Sequence, residues 1–314
     1  MNGYPNTYQP NPNRDLRIDR SEVFDPALKH CFHAFRFGDP IFQDPTIANR
    51  WLRARQQVID LILQLIHGSR WNEHLVLRGS LLLKAWVGEA AREPGDIDWV
   101  FIPEKIESSD PLAKQLFDEL IQMVSAHPLV GNITIDVAKI AMDNIWTYER
   151  ADGRRILFPW QAEGLPSGTL QMDVVFGEGL FSDPIETSIP TGSGRNIQIS
   201  SASRELSLAW KLLWLETDDY PQGKDLYDAT LLAEQTQLPF ELLCEVLESS
   251  ESWNLRISHK QDFSWKSGYP WSMEPTDIDW DNFRLEYPWV EGDVQSWLDR
   301  LSLALAPTFA NLEI

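Results

Sequence analysis

Cysteine is almost missing from this chain. Cys31 and Cys244 are the only two in 314 residues, which rules out a disulfide framework or a cysteine-built zinc site. Positive charge is also scarce, with 27 Lys and Arg against 47 Asp and Glu, for a formal net charge of −20. A surface this acidic repels phosphate backbones at long range. That excludes broad, non-specific nucleic-acid binding and leaves room only for a local basic groove. No apolar run is long enough to cross a bilayer, and the N-terminus lacks the basic-then-apolar layout of a signal peptide. The expectation is a cytoplasmic protein with no membrane partner. His30 and His33 flank Cys31, but no matching ligand cluster follows, so no metal is expected there.

What is present is enough apolar sequence for a real core, with 43% hydrophobic residues. Residues 1–14 are rich in Asn, Pro and Tyr without an apolar period and read as a flexible tail. Residues 45–68 repeat apolar side chains every three or four positions, predicting a long amphipathic helix that ends near Gly68. A strand (74–78), a Gly79-Ser80 turn, a helix (80–87) and a second strand (96–102) follow. Then come a helix (110–126) and strands at 132–139, 143–149, 154–159 and 168–176. This mixture predicts an α/β or α+β domain, a mixed sheet with flanking helices. From 201 the pattern turns helical (201–217, 223–235, 239–249 and 292–305), and 250–290 gives no assignable period. The 14 Trp residues suggest packing or a partner surface more than base stacking.

The chemistry-bearing pattern is Gly79-Ser80, a helix, then Asp96-Ile97-Asp98. Strand residues two apart share a face, so Asp96 and Asp98 point the same way. Paired carboxylates repel unless a cation or a shared proton intervenes. Magnesium, with its preference for hard oxygens and for the substrate's own phosphates, suits such a pair. Unpaired N–H groups at a helix start bind phosphate. Gly79 allows close approach there, and the Ser80 hydroxyl adds a contact. A third carboxylate is wanted where two metals lie about 3.5–4 Å apart. Asp173 in LQMDVVF and Asp136 in ITIDVAKI each interrupt an apolar run, which is costly unless the charge is paired; local physics barely separates them. Each feature also has a plainer reading: a solvated strand start for Asp96 and Asp98, an N-cap for Ser80, an ion pair for Asp173. A second Asp-Ile-Asp-Trp at 277–280 lacks the Gly-Ser helix and the apolar strand, and is read as a surface loop.

The ordered set G-S-x-L-L at 79–83, R-E-P-G-D-I-D-W at 92–99, L-Q-M-D-V-V-F-G-E at 170–178, S-L-A-W-K-L-L-W-L at 207–215 and K-D-L-Y-D at 224–228 resembles the AbiEii/AbiGii nucleotidyltransferases of the polymerase-β-like superfamily. The resemblance spans about residues 45–240. It implies a catalytic domain over 41–200, after a lead-in of 1–40 and before a mainly helical domain over 201–314. It favours Asp173 over Asp136, giving a Mg²⁺ (or Mn²⁺) site of Asp96, Asp98 and Asp173. It also implies that Lys211 contacts the nucleotide's phosphates, that Asp225 or Asp228 is a further functional carboxylate, and that Arg92 matches a basic family position. Many members carry Ser or Thr before the first Asp, where this chain has Gly95. The plainer readings are a snorkelling stem for Lys211 and helix-start carboxylates for Asp225 and Asp228. The implied activity is transfer of a nucleotide from an NTP to an acceptor, with RNA at a tRNA 3′ end the first candidate. Toxin–antitoxin and phage-defence members imply an antitoxin partner. Nucleotide transfer to a protein, and a non-catalytic nucleotide-sensing module, are the rival readings.

Overall fold

A computed structural model describes residues 4–8, 18–20, 22–24, 35–147, 151–260, 263–265 and 268–310. Most of the expected tail at 1–14, and all of His30, Cys31 and His33, lie outside the described residues. The chain divides into two units. The first comprises Met1–Ala85, Glu93–Gly179 and Pro184–Ser201; the second comprises Trp86–Arg92, Leu180–Asp183 and Ala202–Ile314.

In the first unit, two short antiparallel pairs join β1 (Ile18–Asp19) to β4 (Ile41–Phe42) and β2 (Glu22–Phe24) to β3 (Phe35–Phe37). Helix α1 (Pro45–His67) starts where the Asp44 carboxylate accepts from Thr46 N at 2.8 Å and Pro45 occupies the first turn. Its buried Trp51, Val58, Ile59, Ile62, Leu63 and Ile66 form one stripe. Then come β5 (Leu75–Arg78), α2 (Ser80–Val87), β6 (Asp96–Phe101), α3 (Pro111–Ala126), β7 (Leu129–Val130), β8 (Ile133–Ile135), β9 (Ala141–Thr147), β10 (Ala151–Ala162), β11 (Gly168–Phe176), β12 (Ile185–Pro190) and β13 (Asn196–Ser201).

Among the described residues these strands build one mixed sheet in the order β12-β13-β5-β6-β11-β10-β8-β7, with β9 also on β10. The pairs β6–β11 and β13–β5 are parallel, and the others are antiparallel. One face is apolar: Ile97 lies beside Met172 and Met172 beside Ile156, while Trp99 lies beside Val174. Helices α1 and α3 cover that face. The rings of Trp51 and Trp160 are 5.3 Å apart, and those of Phe117 and Phe176 are 6.2 Å apart. Each such buried side chain stabilises the layer by about 1.5–3 kcal/mol. The other face carries the charged residues described below.

The second unit holds α4 (Arg204–Thr217), α5 (Gly223–Ala233), α6 (Phe240–Glu248), α7 (Glu251–Ser258), α8 (Trp280–Glu286) and α9 (Val294–Phe309). Helix α5 packs against α4, α8 and α9. Trp253, Trp271, Trp280 and Trp297 are all buried here, which is the packing use of tryptophan.

Several local readings change. The predicted strand over 132–139 is cut to Ile133–Ile135, because the chain turns at Asp136 into a 3-10 turn, Val137–Lys139. Strands β12 and β13 occupy a stretch to which the sequence reading assigned no element. They form an edge pair with an exposed-buried alternation only a few residues long. Helix α4 begins at Arg204 rather than 201, because Ser203 caps it by accepting from Leu206 N at 3.1 Å. The second Asp-Ile-Asp-Trp is not a surface loop: Ile278 and Trp280 are buried, and Asp279 caps α8. Two apolar side chains on either side of a capping Asp suffice to anchor it.

Candidate active site

Strand β5 ends at Arg78, and α2 begins two residues later at Ser80. Gly79 makes the turn with φ +83, a left-handed conformation that glycine adopts without penalty. A Cβ on Gly79 would lie 2.4 Å from Asp98 Oδ2. The bare Cα therefore lets the Asp98 carboxylate sit against the turn. Ser80 Oγ donates to Asp96 Oδ1 at 3.3 Å. The Gly-Ser turn and the Asp96/Asp98 pair thus form one small polar patch at the start of β6.

Sheet register extends this patch sideways. Arg78 lies opposite Asp98, Asp98 beside Asp173, Asp173 opposite Arg155, and Arg155 opposite Asp143. Directly paired residues share a sheet face, so these five charges form one row across β5, β6, β11, β10 and β9. Asp98 and Asp173 are adjacent like charges, flanked by the cations Arg78 and Arg155. Arg155 holds Asp173 in a two-pronged grip at 3.0 and 2.9 Å, and Gln171 adds a bond at 3.1 Å. Arg78 pairs with Glu178 at 2.6 Å. Asp143 accepts from Asn6 Nδ2 at 2.8 Å and from Thr7 N.

Asp96, Asp98 and Asp173 therefore stand on the same face of neighbouring strands, whereas Asp136 lies past the end of β8 and pairs with Lys139 at 2.8 Å. Among the described residues no group of three or more His, Cys, Asp or Glu is arranged to hold a metal ion; Asp173 is instead turned to Arg155. The Asp96/Asp98 pair by itself fits magnesium, which commonly uses only one or two protein carboxylates and takes its other oxygens from phosphate and water.

Lys211, Asp225, Asp228 and Arg92 form a second cluster, within the second unit. Lys211 on α4 is buried and bonds Asp225 Oδ1 at 2.6 Å and Asp228 Oδ2 at 3.3 Å. Arg92 grips Asp228 through Nε at 3.1 Å and a terminal nitrogen at 2.8 Å. Burial works against ionising Asp228, but Arg92 and Lys211 outweigh it and hold its carboxyl below the usual range. Burial likewise opposes charge on Lys211, yet Asp225 and Asp228 overcome it and raise its pKa. Tyr227 donates to Ala90 O at 2.5 Å, and burial, with Asp228 adding, pushes its hydroxyl up to about 12.

Sequence reasoning missed Arg78, Arg155 and Glu178. Arg78 had a signal, as a charge closing an apolar strand beside Gly-Ser. Arg155 had none, because only the β10–β11 register sets it opposite Asp173.

The architecture is that of a nucleotidyltransferase fold. It is similar to MenT4, a nucleotidyltransferase toxin from Mycobacterium tuberculosis H37Rv, at 15% identity over 85% of this chain and 86% of that chain, with a TM-score of 0.53. No curated protein matches the chain by sequence. The family model described as nucleotidyl transferase AbiEii toxin, type IV TA system, matches residues 62–300. This chain belongs to the AbiEii nucleotidyltransferase toxin family and is a nucleotidyltransferase.

Proposed function

We propose that the protein transfers a nucleotide from an NTP to an RNA acceptor, with Mg²⁺ held by Asp96 and Asp98 and a third carboxylate supplied by Asp173. The observation that carries this reading is the Gly79 turn, whose bare Cα admits Asp98 while Ser80 bonds Asp96. A bound divalent cation would neutralise the triphosphate and polarise its α-phosphate. The Gly79-Ser80 turn offers backbone and hydroxyl donors to phosphate oxygens. Asp173 adds negative charge beside Asp98, and Arg155 balances it. An acceptor hydroxyl oxygen attacks the α-phosphorus in line, and its proton passes to a carboxylate of the row. The bond from the α-phosphorus to the bridging oxygen breaks, and pyrophosphate leaves. Catalysis of this kind rests on positioning and charge stabilisation.

In this reading Lys211 contacts phosphate, as the family's motif order implies, and also neutralises Asp225 and Asp228, which serve as further functional carboxylates. Arg92 holds Asp228. Toxin-family membership supports an antitoxin partner. The acidic composition and the lack, among the described residues, of any helix long and apolar enough to cross a membrane are in keeping with cytoplasmic work.

The test is incubation with each of four labelled NTPs, Mg²⁺ or Mn²⁺, and total RNA or total protein. Label in RNA that is lost to nuclease is the expected result, and the Asp98→Ala protein should lose about 10²–10³-fold of the rate or more while its circular dichroism is unchanged. Label in protein would transfer the reading to a protein acceptor. No turnover in any arm would leave a non-catalytic nucleotide-binding module. Full activity of Asp98→Ala would overturn the site.

A further inference from the structure

A cavity of about 360 Å³ opens within the first unit, away from the charged row. Its floor is one side of α1, with Gln57, Asp60, Leu61 and Gln64. Its walls are two turns of the chain: Val130, at the β7–β8 turn, and Gly192 with Ser193, at the β12–β13 turn. The β12–β13 turn is bonded to α1, and the β7–β8 turn lies close against it. Gly192 N donates to Asp60 Oδ2 at 2.8 Å, and a Cβ on Gly131 would come within 3.1 Å of Gln57 Oε1. The volume falls within the range of pre-formed small-ligand pockets.

Asp60 is the only charged residue among those lining the cavity. It is 6% exposed. Its bonds are to neutral donors, Gln56 Nε2 at 2.8 Å and Gly192 N, and among the described residues no cation pairs with it. A carboxylate has about four lone-pair sites, so two bonds leave acceptor capacity. A buried carboxylate without a cation is expensive, and charged groups inside proteins are ordinarily paired. Burial accordingly pushes the Asp60 carboxyl upward, against the two hydrogen bonds that lower it. The remaining lining would suit a cationic head on a short aliphatic stem. Leu61 and Val130 offer apolar contact for a short aliphatic stem, and Gln57, Gln64 and Ser193 offer side-chain oxygens for N–H donors at the mouth.

We propose that this cavity binds an alkylammonium or alkylguanidinium group, whose cationic head pairs with Asp60 while its aliphatic stem lies along Leu61 and Val130. This inference is independent of the nucleotide-transfer site. The same chemistry arrives either as a free polyamine or as a Lys or Arg side chain of a partner protein. The two sources are separated by the probes.

The test is calorimetric titration of the full chain with spermidine in one arm, and with the blocked amino acids Nα-acetyl-lysine amide and Nα-acetyl-arginine amide in the other. Saturable one-to-one binding of either class is expected. The class that binds tighter identifies the source. Asp60→Asn keeps an oxygen to accept from Gly192 N; with an unchanged circular dichroism spectrum it should weaken binding at least tenfold. Ser193→Trp, on the exposed turn, should block the mouth and weaken binding without touching the carboxylate. No binding of any probe by the wild-type protein would overturn the proposal. Equal binding by the wild-type and both variant proteins would overturn it as well.

Discussion

Asp98 and Gly79 depend on one another. The turn needs a left-handed residue, and the carboxylate needs the space a side chain would fill. Gly79→Ala adds backbone strain of about 1–2 kcal/mol and pushes a Cβ to within 2.4 Å of Asp98 Oδ2. The expected outcome is a modest fall in the urea midpoint together with loss of nucleotide transfer by about two orders of magnitude. Near-normal transfer by a folded Gly79→Ala protein would contradict the closeness of turn and carboxylate. A different dependence governs Asp228, whose burial is offset by Arg92 and Lys211. Removing one partner of such a group leaves an uncompensated buried charge, so Arg92→Ala should cost about 3–5 kcal/mol in denaturant titration. The pH dependence follows from the lowered pKa of Asp228. Below its unfolded value, near 3.8, the unfolded chain binds the proton more readily than the folded one. The pair's contribution is therefore present above that pH and lost as pH falls through the lower folded value. Asp228→Asn should flatten this acid limb in stability measured against pH; an unchanged limb would assign acid sensitivity to other groups.

At the scale of elements, register decides where charge meets charge. Strands β10 and β11 align Asp173 with Arg155 and also set Trp160 over Gly168. A Cβ at Gly168 would meet the Trp160 ring at 2.1 Å, and that ring is fully buried against Trp51 of α1. Gly168→Ala is therefore an overpacking change on an immovable neighbour, worth about 1–3 kcal/mol. The expected signature is a lower urea midpoint with an unchanged slope, and reduced transfer activity as the β10–β11 register loosens around Asp173. An increase in stability would mean that Trp160 is free to move. The same logic explains why Asp136 drops away. It lies one residue beyond a three-residue strand, at a 3-10 turn, whereas Asp173 sits inside a nine-residue strand beside β6.

The molecule as a whole carries a net charge of −20, and that dominates encounters at distances beyond the local site. Counterion-release binding needs clustered Lys and Arg. This chain has few, and Arg78, Arg92, Arg155 and Lys211 all face carboxylates. A random-sequence DNA duplex should accordingly show no binding below about 100 μM at physiological salt, the weak end of ordinary non-specific binding. Retention of such a duplex at low micromolar protein in a gel-shift experiment would reveal a basic surface that the composition hides.

Sequence by itself was sufficient for the helix stripe of α1, the Gly-Ser turn, the same-face pair Asp96 and Asp98, and the change to helices beyond residue 201. The stripe, the pair and the change to helices depend on periods of two or of three to four residues, and the turn on its Gly-Ser residue types, all local properties of a chain. It also named Lys211, Asp225, Asp228 and Arg92 through motif order, without indicating that they would compensate one another in a buried cluster. The family resemblance pointed to Asp173, but only the tertiary structure set it beside Asp98, brought Arg155 to grip it, extended the sheet with β12 and β13, and faced Asp60 into a cavity between two turns. Those facts depend on which strands pair and in what register. Pairing is set by the packing of one apolar face over the whole sheet, and no window of neighbouring residues contains that information.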